Sequence, residues 1–266
     1  MEAKTVELSI CKALSKEIIV KKNYCVLALY MAIMGTGLFV CKRFLGTSYD
    51  SPDFSEKFLP FMTTLGVLSV VFWKKNRREL VLKSDSKPGY FLPMVVFVPI
   101  VATGIYVIIK GFRPETGFLI LLLDTSLIGI AEEGMFRGIL LGGLVRRIKP
   151  VQAVLVSSVF FSALHGLNIL GGLDATEVVS QMGSTFVMGL FLASIYLYTG
   201  KIVFPIVFHS MWDLIILGQN YGELDFLPLL LIGAGAAELA VSVLIIVKLI
   251  RRKTSFGTLE GSGKCL

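Results

Sequence analysis

The sequence predicts an all-α membrane protein: a bundle of about eight transmembrane helices with both termini in the cytoplasm. Three observations lead there. Hydrophobic residues make up 55% of the 266 residues, and the mean hydropathy is +0.77; a soluble domain is roughly 45–50% apolar. Eight stretches approach the roughly 20 apolar residues that a helix needs to cross a bilayer. They are about 24–41, 55–73, 89–109, 117–144, 151–170, 176–199, 202–218 and 226–247. Finally, the net charge of +7 is distributed along the chain in a pattern. With both ends inside, segments 4–22, 74–87, 146–149, 201 and 248–264 hold 20 of the 26 basic residues. The outer segments hold five (Lys42, Arg43, Lys57, Lys110 and Arg113), and Arg137 is left within the membrane. This asymmetry follows the positive-inside rule. Basic charge therefore reads as topology, with some attraction to anionic lipid, and nucleic acid is set aside as a partner.

The stretch ahead of the first span is mixed and charged, without an early apolar core, so no cleavable signal peptide is expected. The first two spans carry almost no polar residues, and residues 1–88 are expected to form an N-terminal region with two peripheral helices. Cys11, Cys25, Cys41 and Cys265 show no CxxC spacing and have no histidine neighbours, which argues against a disulfide scaffold or a thiolate metal site. The longest internal hydrophilic piece, Lys74–Gly89, separates two spans from six. No repeat at a fixed period appears, and residues 1–266 read as a single integral-membrane domain. Residues 254–266 are Gly/Ser-rich and expected to be a flexible tail.

The fourth span holds the first anomaly, "LIGIAEEGMFRGILLGG", Leu127–Gly143. An ionisable residue inside a span is costly and marks function by default. At about 100° per residue, Glu133 and Arg137 lie about 40° apart and can pair along one face. Glu132 points about 100° away and has no partner in its own helix. Gly134, Gly138 and Gly142 form a third face of small residues that lets another helix approach closely.

The fifth span contributes Ser158, Phe161, Ser162, His165 and Asn168, whose side chains share an arc of about 120°. Inside a membrane such an arc faces a protein interior or a watery cavity. The sixth adds Ser180, Gln181, Ser184 and Thr185 over two turns. In the seventh, His209 and Asp213 are one turn apart, a spacing at which a carboxylate can fix the tautomer of an imidazole. The chain has only two histidines, and both fall on polar faces within spans. Two further carboxylates carry no assigned role. Asp124 lies near the outer end of the fourth span, where it can reach the interface, and Glu238 reads as a buried hydrogen-bonded group in the eighth.

A glutamate and two histidines beside water suit hydrolysis in two ways. Glu132 can act as general base with His165 holding the water, while His209, oriented by Asp213, donates to an oxyanion. Alternatively, Glu132, His165 and His209 bind Zn²⁺, which acidifies the water. The residues alone leave both open. Other intramembrane hydrolase signatures are missing: there is no HExxH, no GxGD and no GxSG in a span.

The order EExxxR at Glu132, Glu133 and Arg137, then FxxxH at Phe161 and His165, then HxxxD at His209 and Asp213 resembles the CPBP family. This family comprises CAAX prenyl endopeptidases and bacteriocin-processing (Abi) membrane proteins, and the resemblance covers a catalytic core of about 117–218. It implies an eight-helix intramembrane protease with its site in a cavity open to water, described as metal-dependent, with a metal-free glutamate mechanism for some members. By position, Glu132, His165, His209 and Asp213 would be catalytic, and Glu133, Arg137 and Phe161 supporting. The implied substrate is a membrane-associated peptide: a prenylated CAAX-like tail, a leader or a pheromone-type segment. No cofactor is certain, and Zn²⁺ is the one the resemblance raises. The short chain and minimal loops point to a bacterial plasma membrane. Two competing readings remain: a non-catalytic bacteriocin-immunity or scaffold protein of the same fold, and a proton-coupled transporter. The latter class often shows internal repeats and paired broken helices, and neither is found here.

Overall fold

The computed structural model describes the backbone of residues 2–80, 82–84, 89–251 and 256–257, and side chains within 21–78 and 89–251 together with Leu80 and Leu82. The chain runs through α1 (Glu2–Phe44), α2 (Phe54–Leu80), α3 (Phe91–Gly111) and α4 (Thr116–Glu133). α4 continues without a break into a π-helical segment (Gly134–Leu141) and a final α-turn, α5 (Gly142–Leu144). Then follow α6 (Pro150–His165) with a 3₁₀ extension (Gly166–Gly171), α7 (Ala175–Thr199), α8 (Val203–Leu217) and α9 (Leu227–Arg251). Each of the eight expected spans is therefore matched by a helical path, α4, the π segment and α5 together making the fourth. Of the expected tail, only Phe256–Gly257 is described. It pairs antiparallel with Lys83–Ser84 as two short strands, β2 and β1.

Among the described residues, six helices are long and apolar enough to cross a membrane by length and composition. The two that fall short are the fourth and the seventh in the path, the ones that carry Glu132 and His209. α4 has 18 residues and includes Asp124, Glu132 and Glu133. α8 has 15, a rise of about 22 Å against a hydrocarbon core of about 30 Å. Both therefore depend on neighbouring helices to cover polar groups and short ends.

Local sequence explains the boundaries. Asp174 caps α7 by accepting from the Thr176 backbone N–H at 2.8 Å, with Glu177 completing the reciprocal box. Gly200, at φ +69°, ends α7 in the left-handed conformation that glycine tolerates. The next helix can then begin after only two more residues. In the π segment, wider turns leave backbone carbonyls without their usual partner four residues on. Side chains of other helices add donors to carbonyls in and just before this segment. Ser69 of α2 donates to Ala131 O at 2.9 Å, Ser157 of α6 to Phe136 O at 3.0 Å, and Asn23 of α1 to Ile139 O at 3.3 Å.

These bonds revise the expectation of a peripheral first pair. The glycine face of the fourth span is the seat of α2. A Cβ on Gly134 would meet Ser69, one on Gly138 would meet Trp73 and Ile202, and one on Gly142 would sit 2.7 Å from the Leu80 carbonyl. α1 and α2 lie at the edge of the bundle but are bonded into its central helix. On the other side of α4, Gly129 admits α8: a Cβ there would overlap the Ser210 hydroxyl and lie 2.8 Å from Ile206 O. That close approach carries His209 up to Glu133.

Candidate active site

The site is assembled by three helical paths converging on one aromatic ring. Phe161, one turn before the C-terminal end of α6, is fully buried. The Arg137 guanidinium carbon lies 4.2 Å from its centroid, a cation–π distance. The rings of His165, Phe136 and His209 meet it edge-to-face at 5.2, 5.4 and 5.5 Å. Phe161 thus spaces the two histidines and covers the one intramembrane arginine.

Around that ring, Glu133 and Arg137 form the ion pair that their spacing predicts. Arg137 Nη1 donates to Glu133 Oε1 at 2.8 Å, and both side chains are fully buried. Nη2 also donates to the Gly189 carbonyl of α7 at 3.4 Å. The same Glu133 Oε1 lies 2.9 Å from His209 Nδ1, and His209 Nε2 lies 3.4 Å from Asp213 Oδ2. His209 is therefore held between two carboxylates from two helices. His209 meets Glu133 as well as the Asp213 that its spacing predicts, a contact between two helices that no spacing within one helix shows.

Glu132 is left as the sequence suggests. It is 3% exposed, and its Oε2 has no hydrogen-bond partner among the described residues. His209, Asp213, Glu133 and Arg137 are all within electrostatic reach. His165 ends α6, half-buried, with Nδ1 3.1 Å from the Phe161 carbonyl. A backbone carbonyl can only accept, so Nδ1 carries the proton and Nε2 presents a lone pair.

The other polar residues of the arc on α6 and its 3₁₀ extension divide into two roles. Ser158 and Ser162 turn to carbonyls, donating to Val154 O at 2.8 Å and Met182 O at 2.7 Å. They knit helices together and do not line the site. Asn168 donates to Gln181 Oε1 at 2.8 Å, and Gln181 Nε2 donates to the Tyr49 hydroxyl at 3.1 Å. Tyr49 lies between α1 and α2, and Glu132 and Asp213 are within its electrostatic reach. It was missed in the sequence because it sits in a loop with no polar periodicity around it. Tyr30 of α1 was missed too: it is fully buried, its hydroxyl has no partner among the described residues, and Glu132 and Glu133 are its charged neighbours. Its position on an otherwise apolar span hid it.

Asp124 is buried within the bundle. It is 3% exposed, within electrostatic reach of Asp213, and its Oδ1 has no partner among the described residues. Glu238 is buried as expected, but its Oε1 lacks a partner among the described residues; the nearby Ser242 hydroxyl donates to the Glu238 backbone carbonyl at 2.6 Å.

A metal held by Glu132, His165 and His209 does not fit this arrangement. Among the described residues no three His, Cys, Asp or Glu side chains converge as a metal would require. Both ring nitrogens of His209 are directed at carboxylates, so neither is free to ligate without dismantling the pair.

Comparison with known proteins gives one family match. Residues 114–215 match the model of the family described as type II CAAX prenyl endopeptidase Rce1-like. That stretch runs from the start of α4 into α8 and includes Glu132, Glu133, Arg137, Phe161, His165, His209 and Asp213. No curated protein matches the chain. The chain is an integral membrane protein whose residues 114–215 are similar to the Rce1-like type II CAAX prenyl endopeptidases, a family of proteases.

Proposed function

We propose that the protein is an intramembrane endopeptidase that hydrolyses a peptide bond of a membrane-associated peptide, with Glu132 as the base that activates water. The observation that carries this reading is the division of labour between adjacent glutamates. Glu133 takes both Arg137 and His209 on its Oε1, whereas Glu132 forms no ion pair among the described residues; each glutamate keeps a buried Oε2 without a partner there. A water held between Glu132 and His165 Nε2 gives up a proton to Glu132, and the resulting hydroxide attacks the scissile carbonyl. His209, fixed by Glu133 and Asp213, donates to the oxyanion of the tetrahedral intermediate. Collapse of that intermediate breaks the C–N bond, and the proton on Glu132 passes to the departing amine. Arg137 and Phe161 hold the framework. The substrate class is a peptide anchored by lipid or by its own apolar segment, in keeping with a site enclosed by spanning helices.

The test is reconstitution in liposomes with prenylated CAAX peptides and leader-type peptides. Wild-type protein is expected to cleave one class, and Glu132→Ala and His165→Ala are expected to lose cleavage by about 10²-fold or more. Cleavage is expected to survive chelation of divalent metals. Equal cleavage by wild type and both variants would remove Glu132 and His165 from the reaction, and loss on chelation with recovery on adding zinc would replace the mechanism.

A further inference from the structure

The candidate catalytic groups differ in exposure, and the difference has a direction. Glu132 and His209 are 3% and 1% exposed. Moving toward the C-terminal end of α6, His165 and Gln181 are half-buried, the Asp213 side chain is 20% exposed and Ser184 is exposed. The first half of α7 is polar and open there, and a Cβ on Gly183 would meet nothing within 4 Å. In the opposite direction the protein is closed: residues 131–145 and 188–199 are buried without interruption. Substrate and water therefore reach the site from the end of the bundle that carries Tyr49, Asn168 and the loops before α2, α7 and α9. The hydrogen bond from Tyr49 N to Gly171 O at 2.9 Å pins the first of these loops beside the opening.

The two ends of the bundle differ in charge. The sequence segments at the open end, 42–57, 110–115, 174–177 and 223–225, carry eight acidic and five basic residues. Arg146, Arg147, Lys149 and Lys201 follow the buried stretches at the closed end, and the inner segments of the sequence to which they belong, 4–22, 74–87, 146–149, 201 and 248–264, carry 20 basic and five acidic residues. Short loops rich in lysine and arginine stay in the cytoplasm, so the open end is the outer one.

We propose that the site opens on the extracytoplasmic face of the membrane, and that its substrate is a peptide presented at the outer leaflet: an exported peptide or an outward-facing membrane-anchored segment, rather than the tail of a cytosolic protein. The proposal rests on the endopeptidase reading for its substrate, but the direction of opening is independent of turnover, and the experiment keeps the two apart. Cys11, Cys25, Cys41 and Cys265 are replaced by alanine, and single cysteines are placed by Ser184→Cys at the opening, Asp225→Cys before α9 and Lys201→Cys before α8. Intact bacterial spheroplasts are treated with a membrane-impermeant maleimide. Ser184→Cys and Asp225→Cys are expected to label in intact cells, and Lys201→Cys only after the membrane is opened. Labelling of Ser184→Cys from the cytoplasmic side, or from neither side, overturns the proposal, as does exchange of the two loop positions.

A second arm addresses the substrate. A pooled library of single-span reporters is displayed with its peptide either outward or inward, and cleavage by wild type is compared with Glu132→Gln. Glu132-dependent cleavage is expected in the outward pool, and cleavage confined to the inward pool contradicts the proposal. Outward labelling with no cleavage in either pool counts against the peptidase reading and leaves the orientation standing.

Discussion

At the scale of single residues, the protein separates two adjacent glutamates by giving one of them every nearby cation. Arg137 and His209 both reach Glu133 Oε1, so Glu133→Gln should weaken both contacts at once. Removing one member of a buried ionic group strands the others, a loss of about 3–5 kcal/mol in comparable soluble cases. We expect Glu133→Gln and Arg137→Met to lower the thermal unfolding temperature in detergent, whereas Glu132→Gln should abolish turnover and leave unfolding near wild type. Arg137→Lys should fare little better than Arg137→Met, because an ammonium cannot reach Glu133 and Gly189 as a fork while lying flat on Phe161. Much of this was legible in advance: the Glu133–Arg137 pair follows from spacing alone, and Glu132 stood out by having no local partner. The engagement of His209 by Glu133 was hidden, because it depends on contact between two helices 76 residues apart in sequence. Tyr30 was hidden for the opposite reason, being one phenol on an apolar helix. Tyr30→Phe should reduce turnover without lowering the unfolding temperature if the hydroxyl acts on the carboxylates, a comparison read by kinetics alongside a melting curve.

Elements come together through glycines. Helix association in lipid lacks a hydrophobic driving force and relies on close packing, and α4 with its π extension offers glycine to two neighbours. Gly142 lets the Leu80 carbonyl approach, and Gly129 lets the Ser210 turn of α8 approach. Gly129→Leu should therefore displace α8, separate His209 from Glu133 and eliminate turnover, with the damage visible as lost cross-linking between cysteines placed on α4 and α8. By contrast, Ser69→Ala removes one interhelical hydrogen bond, a change worth about 0.6 kcal/mol in a membrane bundle; it should shift the melting temperature only slightly. The glycine face was readable from the sequence, but its partner was not. α2 looked peripheral because its core-facing polar group is a single serine. The π segment was not readable either, since a run such as Gly134–Leu141 fits α-helical periodicity equally well until the surrounding donors are known.

For the whole molecule, composition and charge pattern were enough to give an all-helical membrane bundle and the path of its eight spans, because apolar length and loop charge are set locally. Depth and direction were not, because they depend on which ends of which helices remain uncovered. The half-buried His165 at the end of α6 and the continuous burial of 188–199 in α7 supply that direction. On the proposed reading, the site opens at one end of the bundle and Glu132 prepares water within the protein interior. The most direct test is a single turnover of purified enzyme in water enriched in ¹⁸O, followed by mass analysis of product and protein. If Glu132 acts on water, the new carboxylate of the product carries the ¹⁸O in the first turnover and the Glu132 side chain carries none. If ¹⁸O appears instead in Glu132 while the first product is unlabelled, the carboxylate has attacked the peptide itself, and the central claim is wrong.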